Sequence, residues 1–153
     1  MPMDQKSEIA DSSSIIVYDG HCNLCNRSLQ FVLNHDSGNR FVYIPFQSPQ
    51  GRTICERFGI EFTESTSMLL LEDRQLYMRS RAWQKILGRL SLGYRLASFV
   101  IRVLPTSLCD RAYDFIGDRR YRWFGTSSSC RLVEQKPLPE MNTIEKRLPS
   151  NSK

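Results

Sequence analysis

Cys22 and Cys25 lie three positions apart, where a short apolar run ends at Asp19-Gly20 and a helix-like pattern begins. On the first turn of a helix this spacing brings two side chains together, and a disulfide can then close with little backbone movement. The free N–H groups and the positive dipole end of a helix N-terminus favour a thiolate. In such motifs the thiol pKa falls from about 8.5 to between roughly 3.5 and 7.5. The pair therefore predicts thiol–disulfide exchange.

The position of each thiol predicts its role. Cys22, at or before the first turn, is expected to be the more exposed and more acidic thiol, and so the nucleophile. Cys25, one turn in and more buried, is expected to resolve the mixed disulfide. Asp19 is either a proton acceptor for Cys25 or only the turn-forming residue of an Asp-Gly junction. His21 either tunes the reactivity or specificity of Cys22 or is an idle loop residue.

A structural metal site is the main chemical alternative. Zinc normally requires a second pair of Cys or His ligands at short spacing, whereas Cys55, Cys109 and Cys130 are scattered singly. We therefore predict no metal and assign the close pair to redox chemistry. Cys55 and Cys109 fall on helical patterns and are expected in the core. Cys130 follows a polar stretch and is either an additional thiol that reaches the pair or an idle surface thiol.

The cysteine count also indicates the compartment. Five cysteines with one close pair do not resemble a secreted disulfide framework. Residues 1–14 lack the apolar segment of a secretory signal. We therefore expect an intracellular, cytoplasmic protein. The sequence has no glycine-rich nucleotide loop, so no cofactor is expected beyond the cysteine pair itself.

Hydrophobic periodicity outlines the elements that must position the pair. Strand-like and helix-like patterns alternate along the chain. In order they are a strand in SIIVYDG, a helix from Asn26 to HDSGN, a strand in RFVYIPF, a helix in SPQGRTICERFGI, a hairpin in STSMLLLEDRQLYMRS, and helices from Arg81 onward. Gly88 and Gly93 are expected to divide the long helical stretch, Pro105 to stop it, and Thr106 to be the N-cap of the last helix.

This order predicts an α/β fold: a thioredoxin-like mixed sheet flanked by helices, with additional C-terminal helices. The first βαβ unit should have a right-handed crossover, and the hairpin should add antiparallel strands. A length of 153 residues fits one domain. We place the domain at residues 15–132, between disordered tails at 1–14 and 133–153.

The chain carries a net charge of +5 and much of its arginine between Arg74 and Arg122. The pattern favours a solvated face with internal ion pairs over a surface for nucleic acid, lipid or an acidic partner. No nucleic-acid motif accompanies the charge, so no specific nucleic-acid binding is expected. No apolar run reaches eighteen residues, so no transmembrane segment is expected. Residues 90–104 are interpreted as a buried helix, with an interfacial helix as the alternative.

The motif YDGHCNLC, residues 18–25, resembles the signature of the DCC family of predicted thiol–disulfide oxidoreductases, which is named for residues matching Asp19, Cys22 and Cys25. Later segments are similar to the family's remaining blocks in the same order. They are FVYIPFQSPQG, SMLLLEDRQLYMRSRAWQKIL, LPTSLCDRAYDFIGDRRYRWFG and the later Cys130. The resemblance covers about residues 15–132. It implies a thioredoxin-like fold and dithiol–disulfide activity on a protein or small-molecule disulfide, with an electron donor that the sequence does not identify.

One feature departs from ordinary thioredoxins, which have a cis-proline before the third core strand, facing the cysteines. This chain has Thr66-Ser67-Met68 at that place. The hydroxyl or backbone amide of Ser67 is therefore predicted to contact a small thiol substrate. A rival hypothesis is a non-catalytic thioredoxin-like binding module, in which the two cysteines act as a redox switch or a metal clip.

Overall fold

A computed structural model describes residues 14–61, 68–126 and 140–149. It contains four strands: β1 (Ser14–Tyr18), β2 (Phe41–Pro45), β3 (Met68–Glu72) and β4 (Gln75–Met78). Its helices are α1 (Asn23–His35), α2 (Pro49–Arg57), α3 (Arg79–Arg89), α4 (Leu92–Val103), α5 (Thr106–Phe124) and α6 (Met141–Arg147). The order β1-α1-β2-α2-β3-β4 confirms the predicted first half of the domain.

The strands form one mixed sheet in the order β2-β1-β3-β4. β1 pairs in parallel with β2, with Ile16 opposite Tyr43, and the intervening α1 provides the crossover. β1 pairs antiparallel with β3, which pairs antiparallel with β4. Asp73 and Arg74 close this hairpin with φ angles of 49° and 61°, the left-handed conformation that a two-residue turn requires. The α/β, thioredoxin-like fold class is therefore confirmed.

Helices cover both faces of the sheet. Side chains of α1 and α3 pack on one face, and those of α2 and α6 pack on the other. The first core includes Ile16, Tyr18, Leu29, Val32, Phe41, Leu70, Ala82 and Ile86. The second includes Ile15, Val17, Ile44, Ile54, Cys55, Leu69, Leu71, Ile144 and Leu148. Because β1 is buried on both sides, its C-terminal end holds the start of the loop to α1 in a fixed position.

Helix α6 corrects the prediction of a disordered C-terminal tail. Ile144 is fully buried and Leu148 nearly so, and both belong to the core beside α2. Two apolar residues four positions apart lie on one side of a helix, so a short polar segment can still dock. Composition alone, which is rich in proline and charge here, obscures this pattern. Ser14 likewise belongs to β1 rather than to the N-terminal tail.

The chain after β4 forms three further helices, as predicted, and α3 and α4 separate between Gly88 and Gly93. Pro105, rather than the predicted Thr106, is the N-cap residue of α5. The interpretation of residues 90–104 as a buried helix is wrong: α4 has no buried residue. Its apolar residues outnumber those that can face α3, so most of them face outward. Among the described residues, no helix is long and apolar enough to cross a membrane.

Candidate active site

Cys22 and Cys25 lie where β1 leads into α1, as predicted. Cys22 is the N-cap residue of α1, with extended backbone angles. Its Sγ accepts a hydrogen bond from the backbone N–H of Cys25 at 3.3 Å. Both residues are free thiols. The sulfur of Cys22 therefore occupies the position in which side-chain oxygens usually cap a helix, and its negative charge would meet the free N–H groups of the first turn.

The expected exposure of Cys22 is wrong. Cys22 is 0% exposed and Cys25 is 3% exposed. The end of α5 turns back onto the site, where Cys22 pairs with Thr126 in an isolated antiparallel bridge. Gly125 makes this turn with a φ of 74°, and the Asn23 amide donates a hydrogen bond to the Phe124 carbonyl at 3.0 Å. A contact about a hundred residues away in sequence thus covers a position that helix geometry alone would leave open.

The two thiols differ strongly in acidity. The pKa of Cys22 is lowered to about 6, chiefly by a hydrogen bond from the Cys25 thiol. Burial opposes this change, while the Cys25 backbone N–H and the positive charge of Arg120 support it. The same hydrogen bond, together with burial and the charge on Cys22, raises the pKa of Cys25. The pair thus shares one proton, held on Cys25, which agrees with the predicted order of acidity.

Asp19 is almost fully buried directly after β1. Its Oδ1 accepts hydrogen bonds from the His21 backbone N–H and the Gln47 side chain, both at 3.0 Å. Its Oδ2 accepts one from Tyr121 at 2.5 Å and one from Arg120 at 3.4 Å. The bond to His21 is the turn-forming contact anticipated for an Asp-Gly junction. The contacts to α5 are additional, and proton transfer between Asp19 and Cys25 stays a prediction.

Arg120 is the residue that sequence reasoning missed. Its side chain is fully buried, and its guanidinium reaches two groups of the site. Nη1 donates to the Cys25 sulfur at 3.7 Å, and Nη2 forms the ion pair with Asp19. Nη2 also contacts the Tyr121 hydroxyl at 2.8 Å. A buried arginine stays charged, so it fixes a positive charge beside both thiols.

A periodic pattern in α5 could have identified Arg120. The residues of α5 that line a partly open pocket are Tyr113, Ile116, Gly117 and Arg120. They follow the spacing i, i+3, i+4 and i+7, which marks one face of a helix. A charged residue on such an inward face requires a buried partner, and Asp19 is the buried acid that the motif already supplies. Arg119 and Arg122, which are off this face, do not meet that criterion.

The pocket lies beside Cys25, between α1, α3 and α5. It has a volume of about 200 Å³ and is also lined by Leu24, Ser28, Met68 and Trp83. Apart from Ser28, Tyr113, Arg120 and the sulfur of Cys25, its wall is apolar. The buried thiol therefore borders a space that is large enough for a small apolar group.

The other predicted site residues are less central. His21 is exposed, and its contact with the site runs through its backbone N–H to Asp19. Ser67 and Cys130 lie outside the described residues. Cys55 is buried, and burial raises its pKa to about 11, whereas Cys109 is only half-buried, contrary to its expected place in the core. In the part of the chain that the structure describes, no three Cys, His, Asp or Glu side chains group as metal ligands.

Comparison with known proteins agrees with this geometry. A family model described as DCC1-like thiol-disulfide oxidoreductase matches residues 16–126, which include Asp19, both cysteines and Arg120. The chain belongs to the DCC1-like thiol–disulfide oxidoreductase family. Membership indicates a redox function with thiol or disulfide substrates.

Two curated relatives extend across most of the chain. The uncharacterized protein YuxK of Bacillus subtilis is 32% identical over 129 residues, which are 82% of this chain and 93% of the relative. A chloroplastic DCC family protein of Arabidopsis thaliana is 32% identical over 122 residues, which are 80% of this chain and 71% of the relative. No solved structure matches the chain significantly. The DCC1-like similarity therefore includes the helices after β4 as well as the strand–helix core.

Proposed function

We propose that this DCC1-like chain is a thiol–disulfide oxidoreductase in which Cys22 attacks and Cys25 resolves. The observation that supports this most directly is the Cys22 sulfur at the N-cap of α1, where it accepts the Cys25 backbone N–H at 3.3 Å. This arrangement agrees with a pKa of Cys22 lowered to about 6 and a raised pKa of Cys25. A thiol with a pKa near or below neutrality is largely thiolate at pH 7, and the thiolate is the nucleophile. The two cysteines carry the electrons, and no other cofactor is part of the proposal.

The proposed cycle balances two electrons. The Cys22 thiolate attacks one sulfur of a substrate disulfide, forms a mixed disulfide and releases the first substrate thiolate. The Cys25 thiolate then attacks Cys22 Sγ, forms the Cys22–Cys25 disulfide and releases the second substrate thiolate. One released thiolate takes the Cys25 proton by way of Asp19, and the other takes a proton from solvent. An external dithiol reductant, as electron donor, returns the pair to the reduced state. A reducing compartment suits this cycle, and the cytoplasm is the location that we propose.

The first attack also activates the second thiol. Before attack, the hydrogen bond to Cys22 and the negative charge on Cys22 both hold the proton on Cys25. A mixed disulfide on Cys22 carries no charge, so both of these effects weaken. The positive charge of Arg120, 3.7 Å from the Cys25 sulfur, then favours the Cys25 thiolate. Asp19 is the proposed acceptor of the proton, and His21 and Ser67 are proposed to tune or contact the substrate.

Single cysteine variants and a chromogenic model disulfide test this proposal. Cys22→Ser should abolish turnover. Cys25→Ser should still attack once and then hold a covalent adduct on Cys22, which mass spectrometry of the intact and digested protein locates. Cys55→Ser is the matched control, since its thiol is buried away from the pair and has a raised pKa; it should retain turnover. An adduct on Cys25 in the Cys22→Ser protein would reverse the assigned roles.

A metal measurement addresses the alternative of a metal clip. The reduced protein, purified without chelator, is expected to contain no stoichiometric zinc or iron. About one bound ion per chain that is lost in Cys22→Ser would favour the clip over the enzyme. The same preparation can be assayed with the model disulfide, so that a protein that binds metal and does not turn over is recognised as a non-catalytic module.

A further inference from the structure

Helix α4 presents an apolar stripe to solvent. Its members are between 51% and 82% exposed and share one side of the helix: Leu92, Leu96, Phe99, Val100 and Val103. They follow the spacing i, i+4, i+7, i+8 and i+11, which is one face of an α-helix. Single exposed apolar residues are ordinary, but a contiguous apolar stripe marks an interaction surface. The described residues leave this stripe uncovered.

The opposite side of α4 is firmly attached to the domain. The Tyr94 hydroxyl hydrogen-bonds His35 Nε2 at 3.0 Å, and the Tyr94 ring packs edge-on against Phe31. Ser98 Oγ donates to the Gln84 carbonyl at 2.8 Å. Since the inner side is fixed by these contacts, the helix cannot turn its apolar stripe inward without losing them. The outward orientation of the stripe is therefore a built feature of the fold.

The sequence of α3 and α4 carries charge of a single sign, and three of its basic residues pair with acids of β3 and α5, whereas no ion pair is seen for Arg95 or Arg102 among the described residues. Residues 74–109 contain seven basic residues and no Asp or Glu. At 100° per residue, Arg95 and Arg102 lie together along one edge of the stripe, roughly 80° to 100° from its centre. Apolar side chains bordered by arginines are typical of helices that lie in the plane of a membrane surface. Arginines at the border reach the lipid phosphates while the stripe enters the boundary with the acyl chains.

We propose that α4 docks this protein on an anionic lipid surface, with the apolar stripe inserted and Arg95 and Arg102 at the headgroup phosphates. This goes beyond the proposed dithiol activity and does not depend on it. A second copy of the chain is a poorer occupant. A two-fold contact through α4 would bring Arg95 and Arg102 of both copies together, and α4 itself carries no carboxylate to neutralise them. Arginines near an anionic bilayer are instead attracted to its surface.

Vesicle sedimentation with the full chain tests the proposal. Vesicles of phosphatidylcholine alone are compared with vesicles containing about 30% phosphatidylglycerol, at low and physiological salt. We expect binding to the anionic vesicles and little to the neutral ones. Arg95→Gln/Arg102→Gln should weaken binding about thirtyfold. Leu96→Gln/Phe99→Gln should prevent insertion of the stripe and so also weaken vesicle binding. All four positions are exposed, so the fold should persist, which thermal unfolding and retained dithiol turnover verify.

Matched controls distinguish binding through α4 from non-specific binding of vesicles by other exposed residues. Arg52→Gln removes an exposed arginine from α2, and Met78→Gln removes an exposed apolar side chain from β4; neither should change vesicle binding. Equal binding to neutral and anionic vesicles, or unchanged binding by both α4 variants, would overturn the proposal. Three other results would also overturn it. They are a dimer that Leu96→Gln/Phe99→Gln dissociates, an acidic protein partner bound without lipid, and vesicle binding that appears only after residues 127–139 are deleted.

Discussion

Two buried carboxylates lie at opposite ends of the sheet, and each has cationic partners. Asp19 follows the C-terminal end of β1 and pairs with Arg120. Glu72 ends β3 at the opposite end of the strands, beside Ser14, and pairs with Lys85 and Arg89. The side chains of Lys85 and Arg89 are 37% and 35% exposed, whereas that of Arg120 is 0% exposed. The acids are alike, and the difference lies in the hydration of their partners.

The hydration of the cation distinguishes an ion pair that only stabilises the fold from one that also affects a reactive group. Lys85 and Arg89 reach Glu72 from the surface and keep part of their charge in water, so each is replaceable by the other. Arg120 has no access to water and depends on Asp19 for compensation of its charge. It also stands beside the thiols, where a fixed charge alters acidity. A buried ion pair at a sheet end is therefore structural at Glu72, whereas at Asp19 it is joined to a reactive group.

The largest expected effect follows from breaking the Asp19 pair. Arg120→Met removes the cation and leaves a buried carboxylate without its partner, which costs about 3 to 5 kcal/mol. Urea unfolding of the reduced protein measures this loss. Asp19→Asn should cost a similar amount, and the double variant Asp19→Asn/Arg120→Met should cost clearly less than the sum of the two. Additive losses would show that the two residues do not act as one unit.

A smaller effect is expected at Tyr121, whose hydroxyl donates to Asp19 Oδ2 at 2.5 Å. Tyr121→Phe removes one hydrogen bond to a charged group, at a cost of about 1.5 to 3 kcal/mol, and leaves the ion pair in place. Tyr77→Phe is the matched control, because the Tyr77 hydroxyl makes an exposed bond to Gln75. Equal unfolding free energies for the two variants would contradict a special role for Tyr121.

The acidity of Cys22 gives the third measurement. Its thiolate should form with a midpoint near pH 6 in the reduced protein, followed by ultraviolet absorbance or by alkylation rates across pH. Because the folded pKa lies below the unfolded value of 9.0, thiolate formation adds stability as pH rises from about 6 to 9. That contribution is lost as pH falls through 6.

Arg120 should be one cause of this low midpoint. Arg120→Gln, studied at a temperature where it is still folded, should raise the Cys22 midpoint by roughly one pH unit. Arg120→Lys, which keeps the charge, should raise it less. Lys85→Met serves as the control at the other end of the sheet and should leave the midpoint unchanged. A midpoint near 9 in the parent protein would remove the basis for assigning Cys22 as the nucleophile.

The sequence was sufficient for the parts of this site that are local. An Asp-Gly turn, a Cys-x-x-Cys spacing and the strand–helix order place Asp19, Cys22 and Cys25 together, since all three lie within seven residues. The burial of Cys22 was not predictable in this way, because Thr126 covers it from a hundred residues further along the chain. Long-range contacts of this kind depend on how α5 docks, which periodicity does not specify.

The helices after β4 show the same limit. Their boundaries follow glycine and proline, and were predicted. Their burial was not, since the apolar content of α4 suggested a core helix and the structure leaves that helix half in solvent. Likewise, α6 lies in a segment whose composition suggested disorder, and two residues, Ile144 and Leu148, are enough to dock it. Composition identifies apolar residues without identifying the surface that they cover.

The smallest expected effect is at Glu72 and completes the comparison. Lys85→Met leaves Glu72 paired with Arg89 and hydrogen-bonded to Ser14, so the loss of unfolding free energy should be under about 1 kcal/mol.

Burial acts to raise the pKa of Glu72, but the Lys85 hydrogen bond and the nearby positive charges outweigh it and lower that pKa. The resulting stability is complete above the unfolded value of 4.5 and is lost as pH falls through the folded value. The difference between the parent and Lys85→Met in urea unfolding should therefore be present at pH 7 and shrink in acid. A loss at Lys85 as large as that at Arg120 would mean that hydration of the cation does not distinguish the two ends of the sheet.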